Sequence, residues 1–596
     1  MARARLLMVI VSALTALTAV AASAHAATFT PPVKLTGPAG GEPSIATDGR
    51  GNVYVDGPQG IIVSGASGNP GIGFWKSSDD GSSFGPGKAI GSLAGGGDSD
   101  VLTTPDGTVY VDDLEAVSSQ VFKSTDQGNT FTGIGAVPDP SGCTAVAPTS
   151  QVGPSDDRPW LTTDRQGTLY LTYHEFVSAQ PLAFRSDNGG ADSFSHSCGS
   201  IITDPTIEAN VPTDITGGTL VAKPTTDAAG NFYVLFSTTT QAQNVAAAPG
   251  QPSGTFSQLY VAVSHDHCAT FKDYTVYDGA SKGTNTTQFG DVFNVITADG
   301  AGNLYAVGAG FVNSPTSFSP TANIYVSSSS DQGQTWKGPT LVGSTNAAHL
   351  LPAAVGGGGA GQLALGYFQT TNAKTDPNDL GGKWTYTTAE TGNALAAQPS
   401  FSFSDVNPSF IYHYGQICNQ GILCTPNGDR SLADFTSATI DPAGCPLFTF
   451  AGNPTGTPTT NGATNTFNYA TRQLTNCFQP FPATSANGVR GSGAGGACIA
   501  GNRLRFIIRR VPHGRVVRAV AYVNGRRVAH KKGRHLRQIT FARPTGTVLH
   551  VRIITTNNKG GRVVTKRTFT GCSARTRVIG RPHRHKVKHR GHHRRS

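Results

Sequence analysis

Methionine is nearly absent, with 2 in 596 residues, and charged side chains make up only 14%. Long, straight, helix-favouring side chains are thus in short supply. No apolar run beyond the N-terminus is long enough to span a bilayer, so the sequence excludes a bundle of membrane helices. No cysteine or histidine spacing matches a zinc site, which excludes a zinc-built fold. The last part of the chain lacks acid altogether: Gly491 to Ser596 holds 27 Lys and Arg and no Asp or Glu. The preceding 490 residues hold 19 basic and 36 acidic side chains, an excess of 17 negative charges. One chain thus carries two opposite fields, which points to different partners for its two parts.

What is abundant is glycine, 74 residues, with Thr, Ser and Asn. That mixture suits many short strands joined by tight turns, an all-β chain. The N-terminus reads as a secretory signal over residues 1–26. Arg3 and Arg5 precede the apolar core Leu6 to Val20, and Ala24-His25-Ala26 is a small-residue cleavage site, so the mature chain begins at Ala27. The expected location is extracellular, with association to the cell envelope open. Nine cysteines in such a chain imply disulfides and one leftover thiol. Local pairings are Cys418–Cys424, Cys445–Cys477, Cys498–Cys572 and Cys143–Cys198, which leaves Cys268 over.

Two short patterns repeat. The first is a hairpin: an apolar strand, a turn such as Asp48-Gly49-Arg50-Gly51, and a strand such as Val53-Tyr54-Val55. Counterparts surround Tyr110, Tyr170, Tyr233 and Tyr305, and weaker copies lie at Ala353 to Leu365 and Ser437 to Phe450. The second pattern follows downstream as Ser-x-Asp-x-Gly-x-Thr-aromatic. It is clearest at Ser329-Ser330-Asp331-Gln332-Gly333-Gln334-Thr335-Trp336 and recurs around Asp79 and Asp126. A worn copy around Asp266 has Cys268 in the glycine place, and a broken one runs from Ser186 to Phe194. A short carboxylate and two hydroxyls accept the N–H groups that a tight turn leaves free, and glycine supplies φ > 0.

This second pattern resembles the Asp box of sialidase-like β-propellers. The resemblance covers most of residues 27 to 480 and implies a ring of four-stranded blades, with Asp79, Asp126, Asp266 and Asp331 as structural turn residues on the rim away from the functional face. Seven hairpins predict seven blades over 27–484, or six if a weak copy is an insertion. The last blade is expected to borrow its fourth strand from Phe29 to Leu35. Residues 485–497 read as a Gly/Ser/Ala-rich linker. Residues 498–572 alternate like a small basic β-sandwich, with a hairpin turn at Asn524-Gly525, and resemble appended bacterial Ig-like modules. Residues 573–596 form a His/Arg/Lys-rich tail expected to be disordered.

Ligands of propellers meet the funnel where the inner strands begin. The polar residues at those positions include Glu42, Asp98, Asp100, Asp156, Asp157, Arg158, Lys223, Asp291, Asn294, His349, Asp429, Arg430 and Asp434. Glu42, Asp98, Asp100, Arg158, Lys223, Asp291 and Arg430 are the expected ligand-binding set. Asp98 and Asp100 stand two apart, so in extended backbone they share a side and would offer hard oxygens to Ca²⁺, although no full calcium-loop signature is present. The sialidase resemblance implies three arginines on a substrate carboxylate, a Tyr nucleophile activated by Glu, and an Asp acid/base. The family's first arginine lies in an Arg-Ile-Pro motif; the comparable place here reads Glu42-Pro43-Ser44, and the nearest echo is Asp157-Arg158-Pro159-Trp160. The catalytic candidates are Arg158, Asp157 and Glu175. Tyr173-His174-Glu175 offers a nucleophile, a base and an orienter, but neighbours in a strand face opposite ways, so His174 cannot share a side with both.

Three functions follow as expectations. The first is a secreted propeller that binds a glycan or glycosylated partner at its funnel, with the basic end on an anionic cell-envelope polymer. The second is an exo-α-sialidase or other glycoside hydrolase. The third is a scaffold that presents its rim to proteins. The secretion signal disfavours a nucleic-acid partner, and no cofactor is implied beyond a possible Ca²⁺.

Overall fold

A computed structural model describes residues 26–481 and 503–570, apart from 38–39, 60–69, 95, 116–117, 137–155, 176–179, 192, 195, 210–219, 239–257, 280–286, 289–293, 313–321, 344–345, 418–428, 455–465, 508–514, 537, 543–547 and 560–561. Residues 1–25 of the expected signal, the expected linker and the expected tail, like Asp291 and Cys143, Cys418, Cys424, Cys498 and Cys572, lie outside the described residues.

The repeated hairpin forms because its aspartate answers the turn. Asp48 Oδ1 accepts the N–H groups of Arg50 and Asn52 at 2.8 and 3.0 Å, and Oδ2 accepts Asn52 Nδ2 and the Tyr54 hydroxyl at 2.7 and 3.1 Å. Asp227 with Asn231 and Tyr233, and Asp299 with Asn303 and Tyr305, repeat this arrangement. Each bond to a charged acceptor stabilises by about 1.5–3 kcal/mol, so the aspartate sets the register of the two inner strands.

The hairpins grow into seven antiparallel sheets of four or five strands, of the propeller-blade kind. Their innermost strands are, in order, Ser44–Thr47, Gly96–Thr103, Asp156–Thr163, Thr225–Thr226, Val295–Ala298, His349–Gly356 and Ser437–Ile440. Each touches the next, and the last touches the first, so the sheets form a closed cycle. Among the described residues the one α-helix is the single turn Pro205–Glu208, capped by Asp204. The seventh sheet takes its outer strand from the N-terminus: Val33–Lys34 pairs with Phe467–Arg472, and Phe29 bridges to Gln473. Aromatic rings fill the space between sheets, as where Tyr170 of the third stacks on Phe232 of the fourth at 4.4 Å.

The Asp boxes are turn devices. Asp331 Oδ1 accepts the Ser329 hydroxyl and the Thr335 N–H, and Oδ2 accepts the Thr335 hydroxyl, at 2.6–2.9 Å. Asp79, Asp126 and Asp266 make the same bonds. The glycine of each box has positive φ and presses on the preceding sheet: a Cβ on Gly128 would lie 2.9 Å from Phe74 Cζ. This orientation explains a correction. Cys268, expected to be the free thiol, stands in that glycine place at φ 63°, and its side chain is bonded to Cys198 on the preceding sheet. Cys198 is therefore not paired with Cys143. Cys445 is bonded to Cys477.

The C-terminal part holds a two-stranded sheet, Arg503–Ile507 with Gln538–Ala542, and a four-stranded sheet ordered Arg526–Lys532, Val516–Val523, Val548–Asn557, Arg562–Thr570. Val516, Ala519, Ala521, Leu536, Ile539, Phe541 and Val551 are among its buried core residues. Asn524 and Gly525 turn at φ 48° and 82°, the two positive angles of a tight hairpin.

Candidate functional site at the channel mouth

The inner strands enclose a channel of about 320 Å³, lined at the end where the strands begin by Glu42, Lys223, Asn294 and Asp434. The backbone there is bent. Pairing slips between Gly96 and Ser99, between Asp157 and Trp160, and between Leu350 and Ala353. Glu42, Arg158, Leu351 and Ala433 hold positive φ of 40°, 55°, 54° and 60°. Bulges re-aim side chains, and a non-glycine residue at such a φ costs about 1–3 kcal/mol, a cost the surrounding structure must offset.

Bent strands from four sheets bring their charges together. Arg430 stands 3.1 Å from Asp434 and 3.9 Å from Glu42. Arg158 Nε stands 3.5 Å from Asp157, and its backbone N–H donates to Asp98 at 3.1 Å. His174 faces Asp157 at 4.0 Å. Phe435 packs edge-on against Trp160 at 4.8 Å, and the Arg158 guanidinium lies 5.2 Å from the Phe435 ring centre. Acids outnumber cations here, and burial opposes their charge. Burial, with the charges of Asp98 and Asp434 and a side-chain hydrogen bond to Asp98, pushes Glu42 well above the ordinary carboxylate range. Burial likewise raises Asp98 and carries Asp157 to about 7, against the pull of Arg158.

Beside this network, Asp100 is fully buried. It accepts the Ser44 hydroxyl at 2.6 Å and the Leu161 N–H at 2.8 Å, and it pairs with the Lys223 ammonium. The structure thus brings Glu42, Asp98, Asp157, Arg158 and Arg430 together and joins Lys223 to Asp100. Across the bulge, Asp98 and Asp100 accept from different backbone N–H groups of the third sheet's inner strand, Arg158 and Leu161. No group of three or more His, Cys, Asp or Glu suited to a metal occurs among the described residues.

Other candidates stand apart in role. Glu175 lies opposite Asp156 in the strand register. Tyr173 is fully buried, and its ring stacks on Phe184 at 5.6 Å. His349 is buried against Tyr367 and pairs with Gln369, and burial holds its pKa down at about 4. Asp429 lies 3.7 Å from His413, both buried.

Sequence reasoning missed Asp56, Asp112 and Asp113, all fully buried on second strands. Burial and the nearby charge of Asp100 push Asp56 well up. The signal was present: two residues after the hairpin tyrosine, the third to fifth sheets carry Thr172, Leu235 and Val307, whereas the first two carry Asp56 and Asp112.

The arrangement offers, around an aromatic wall, carboxylates that accept hydroxyls, carboxyls that donate, and guanidinium groups held in fixed directions. Both arginines already face carboxylates of the chain.

No protein-family model matches the chain, and no curated protein matches it. Solved structures that resemble it include a protein of unknown function from Dyadobacter fermentans, at 12% identity and a TM-score of 0.38, covering 75% of this chain and 99% of that one. An ulvan lyase, a polysaccharide lyase, stands at 11% and 0.43, covering 72% and 94%. An α-L-arabinanase from Penicillium chrysogenum stands at 13% and 0.34, covering 64% and 99%. At these scores the likenesses transfer neither activity nor substrate to this chain.

Proposed function

We propose that this chain is a secreted, seven-bladed, sialidase-like propeller that binds a glycan or glycosylated partner at the mouth of its channel, and that its basic Ig-like module holds it at the cell envelope on an anionic polymer. The observation that carries the first part is the network of Glu42, Asp98, Asp157, Arg158, Arg430 and Asp434 set in bulged, left-handed backbone beside Trp160 and Phe435. Fixed donors and acceptors around an aromatic wall suit a ligand rich in hydroxyl groups. The seven sheets and their closed cycle of inner strands support the blade count.

A glycan array probed with the full chain beside Arg158→Ala tests this reading. Saturable binding that the substitution abolishes is expected. Binding that ignores the substitution in a folded variant contradicts it and favours a rim scaffold.

A second reading, a glycoside hydrolase, rests on Asp157, whose carboxyl changes charge near neutrality beside His174. A fluorogenic glycoside panel that includes sialosides separates the two: turnover lost in Asp157→Asn makes the protein an enzyme. The sialidase version is disfavoured because Arg158 and Arg430 face Asp157, Asp434 and Glu42, so a substrate carboxylate would meet an acid-rich site.

A further inference from the structure

The outer face of the C-terminal four-stranded sheet gathers cations around an aromatic ring. Alternation along Val516–Val523 turns Ala519, Ala521 and Val523 into the core and leaves Arg518, Val520 and Tyr522 on the opposite side. Pairing then builds a row of cations around them. Arg518 stands opposite Lys532 on the edge strand, and Tyr522 stands between Arg527 on one side and Arg552 on the other. Arg518, Arg527, Lys532 and Arg552 are all exposed. The face is organised: the Arg552 guanidinium lies 4.6 Å over the Tyr522 ring, and Arg518 Nε donates to His530 at 3.1 Å. Slight desolvation and then the charges of Arg518, Lys532 and Arg527 hold His530 below its usual range, which reports a positive field on this face. No carboxylate balances it, because residues 491–596 contain no Asp or Glu. Neighbouring strands lie about 5 Å apart and alternate residues about 7 Å apart, so the cations stand on a closely spaced grid of backbone positions.

We propose that this folded face, and not the His/Arg/Lys-rich tail, is the chain's docking surface for a flexible polymer of repeating phosphate groups of the cell-envelope kind. Arginine forks fit phosphate oxygens two at a time, and a ring beneath a guanidinium holds it flat for that contact. The acidic propeller repels the same polymer, which confines the contact to this module. The assignment rests on the reading of the chain as a secreted, envelope-held protein and is independent of what the channel binds.

The test measures binding of inorganic polyphosphate to the full chain across a salt series. Replacing Arg518, Arg527 and Arg552 together by Ser is expected to weaken binding at least tenfold at low salt and to flatten the log–log salt slope by about 2. The corresponding Lys triple variant keeps the charge but not the forks, and is expected to bind between the wild type and the Ser variant with the wild-type salt slope, so a folding defect is told apart from lost charge. Replacing Arg584, Arg590 and Arg594 of the tail by Ser is expected to change affinity less than threefold. If the tail variant loses binding and the face variant does not, envelope attachment stands and the face assignment falls. If the wild-type chain does not bind polyphosphate, both fall. Tighter binding to duplex DNA than to polyphosphate at matched phosphate overturns the choice of polymer.

Discussion

Asp157 is a channel-mouth group whose charge changes near neutral pH, and its environment makes that change a stability effect. Burial pushes its carboxyl up to about 7, opposed by Arg158 and aided by Asp98 and Asp434. The same carboxyl in the unfolded chain ionises near 4. Between these values the folded state holds more protons than the unfolded state, so stability falls as pH rises from about 4 to about 7. A quarter of the Asp157 side chain is exposed, which discounts the full effect. The expected loss from this group is about 1–3 kcal/mol. Urea unfolding at pH 5 and pH 8 checks it: the wild-type protein is expected to be the less stable at pH 8, and Asp157→Asn is expected to shrink the difference. At this scale the sequence was informative where a charge stood at a strand start, as with Glu42, Asp98 and Arg158. It was silent on which charges meet, since Arg430 and Glu42 lie on sheets that adjoin only when the ring closes. Asp56 and Asp112 escaped because their signal lies only in a comparison between hairpin copies, where an acid replaces Thr172, Leu235 or Val307, and not in a turn or motif of their own.

Turns and strands were the most legible elements, because their chemistry is local. The Asp48, Asp227 and Asp299 hairpins and the four Asp boxes each satisfy their own backbone within a few residues. Asp331→Ala removes acceptors for the Thr335 N–H and two hydroxyls, and is expected to cost about 1–2 kcal/mol in urea unfolding while leaving glycan binding unchanged. Cysteine pairing was less legible, since proximity in sequence was the only guide used. The geometry of the box itself held the answer: its glycine place faces the preceding sheet, so a cysteine there meets a partner on that sheet, as Cys268 meets Cys198 across 70 residues. Peptide mapping without reduction is expected to recover the Cys198–Cys268 and Cys445–Cys477 peptides. Replacing Cys198 and Cys268 together by Ser is expected to lower stability by about 2–4 kcal/mol.

At the scale of the whole molecule, one strand closes the ring. Val33–Lys34 completes the seventh sheet, and Thr30 and Leu35 add backbone bonds to Arg472 and Asn468. Deleting residues 27–35 leaves an open sheet edge and is expected to yield aggregated or weakly stable protein, read by size-exclusion chromatography. Closure also builds the site, because it sets Glu42 of the first sheet beside Arg430 and Asp434 at the start of the seventh. The claim that the channel mouth is the binding site is tested most directly by calorimetric titration of the best array glycan into the full chain and three variants. Asp98→Asn and Arg430→Ala are expected to weaken binding tenfold or more, about 1.4 kcal/mol, while Asp331→Ala on the rim binds as the wild type does. Binding that survives both channel substitutions and is lost with the rim substitution would contradict the account.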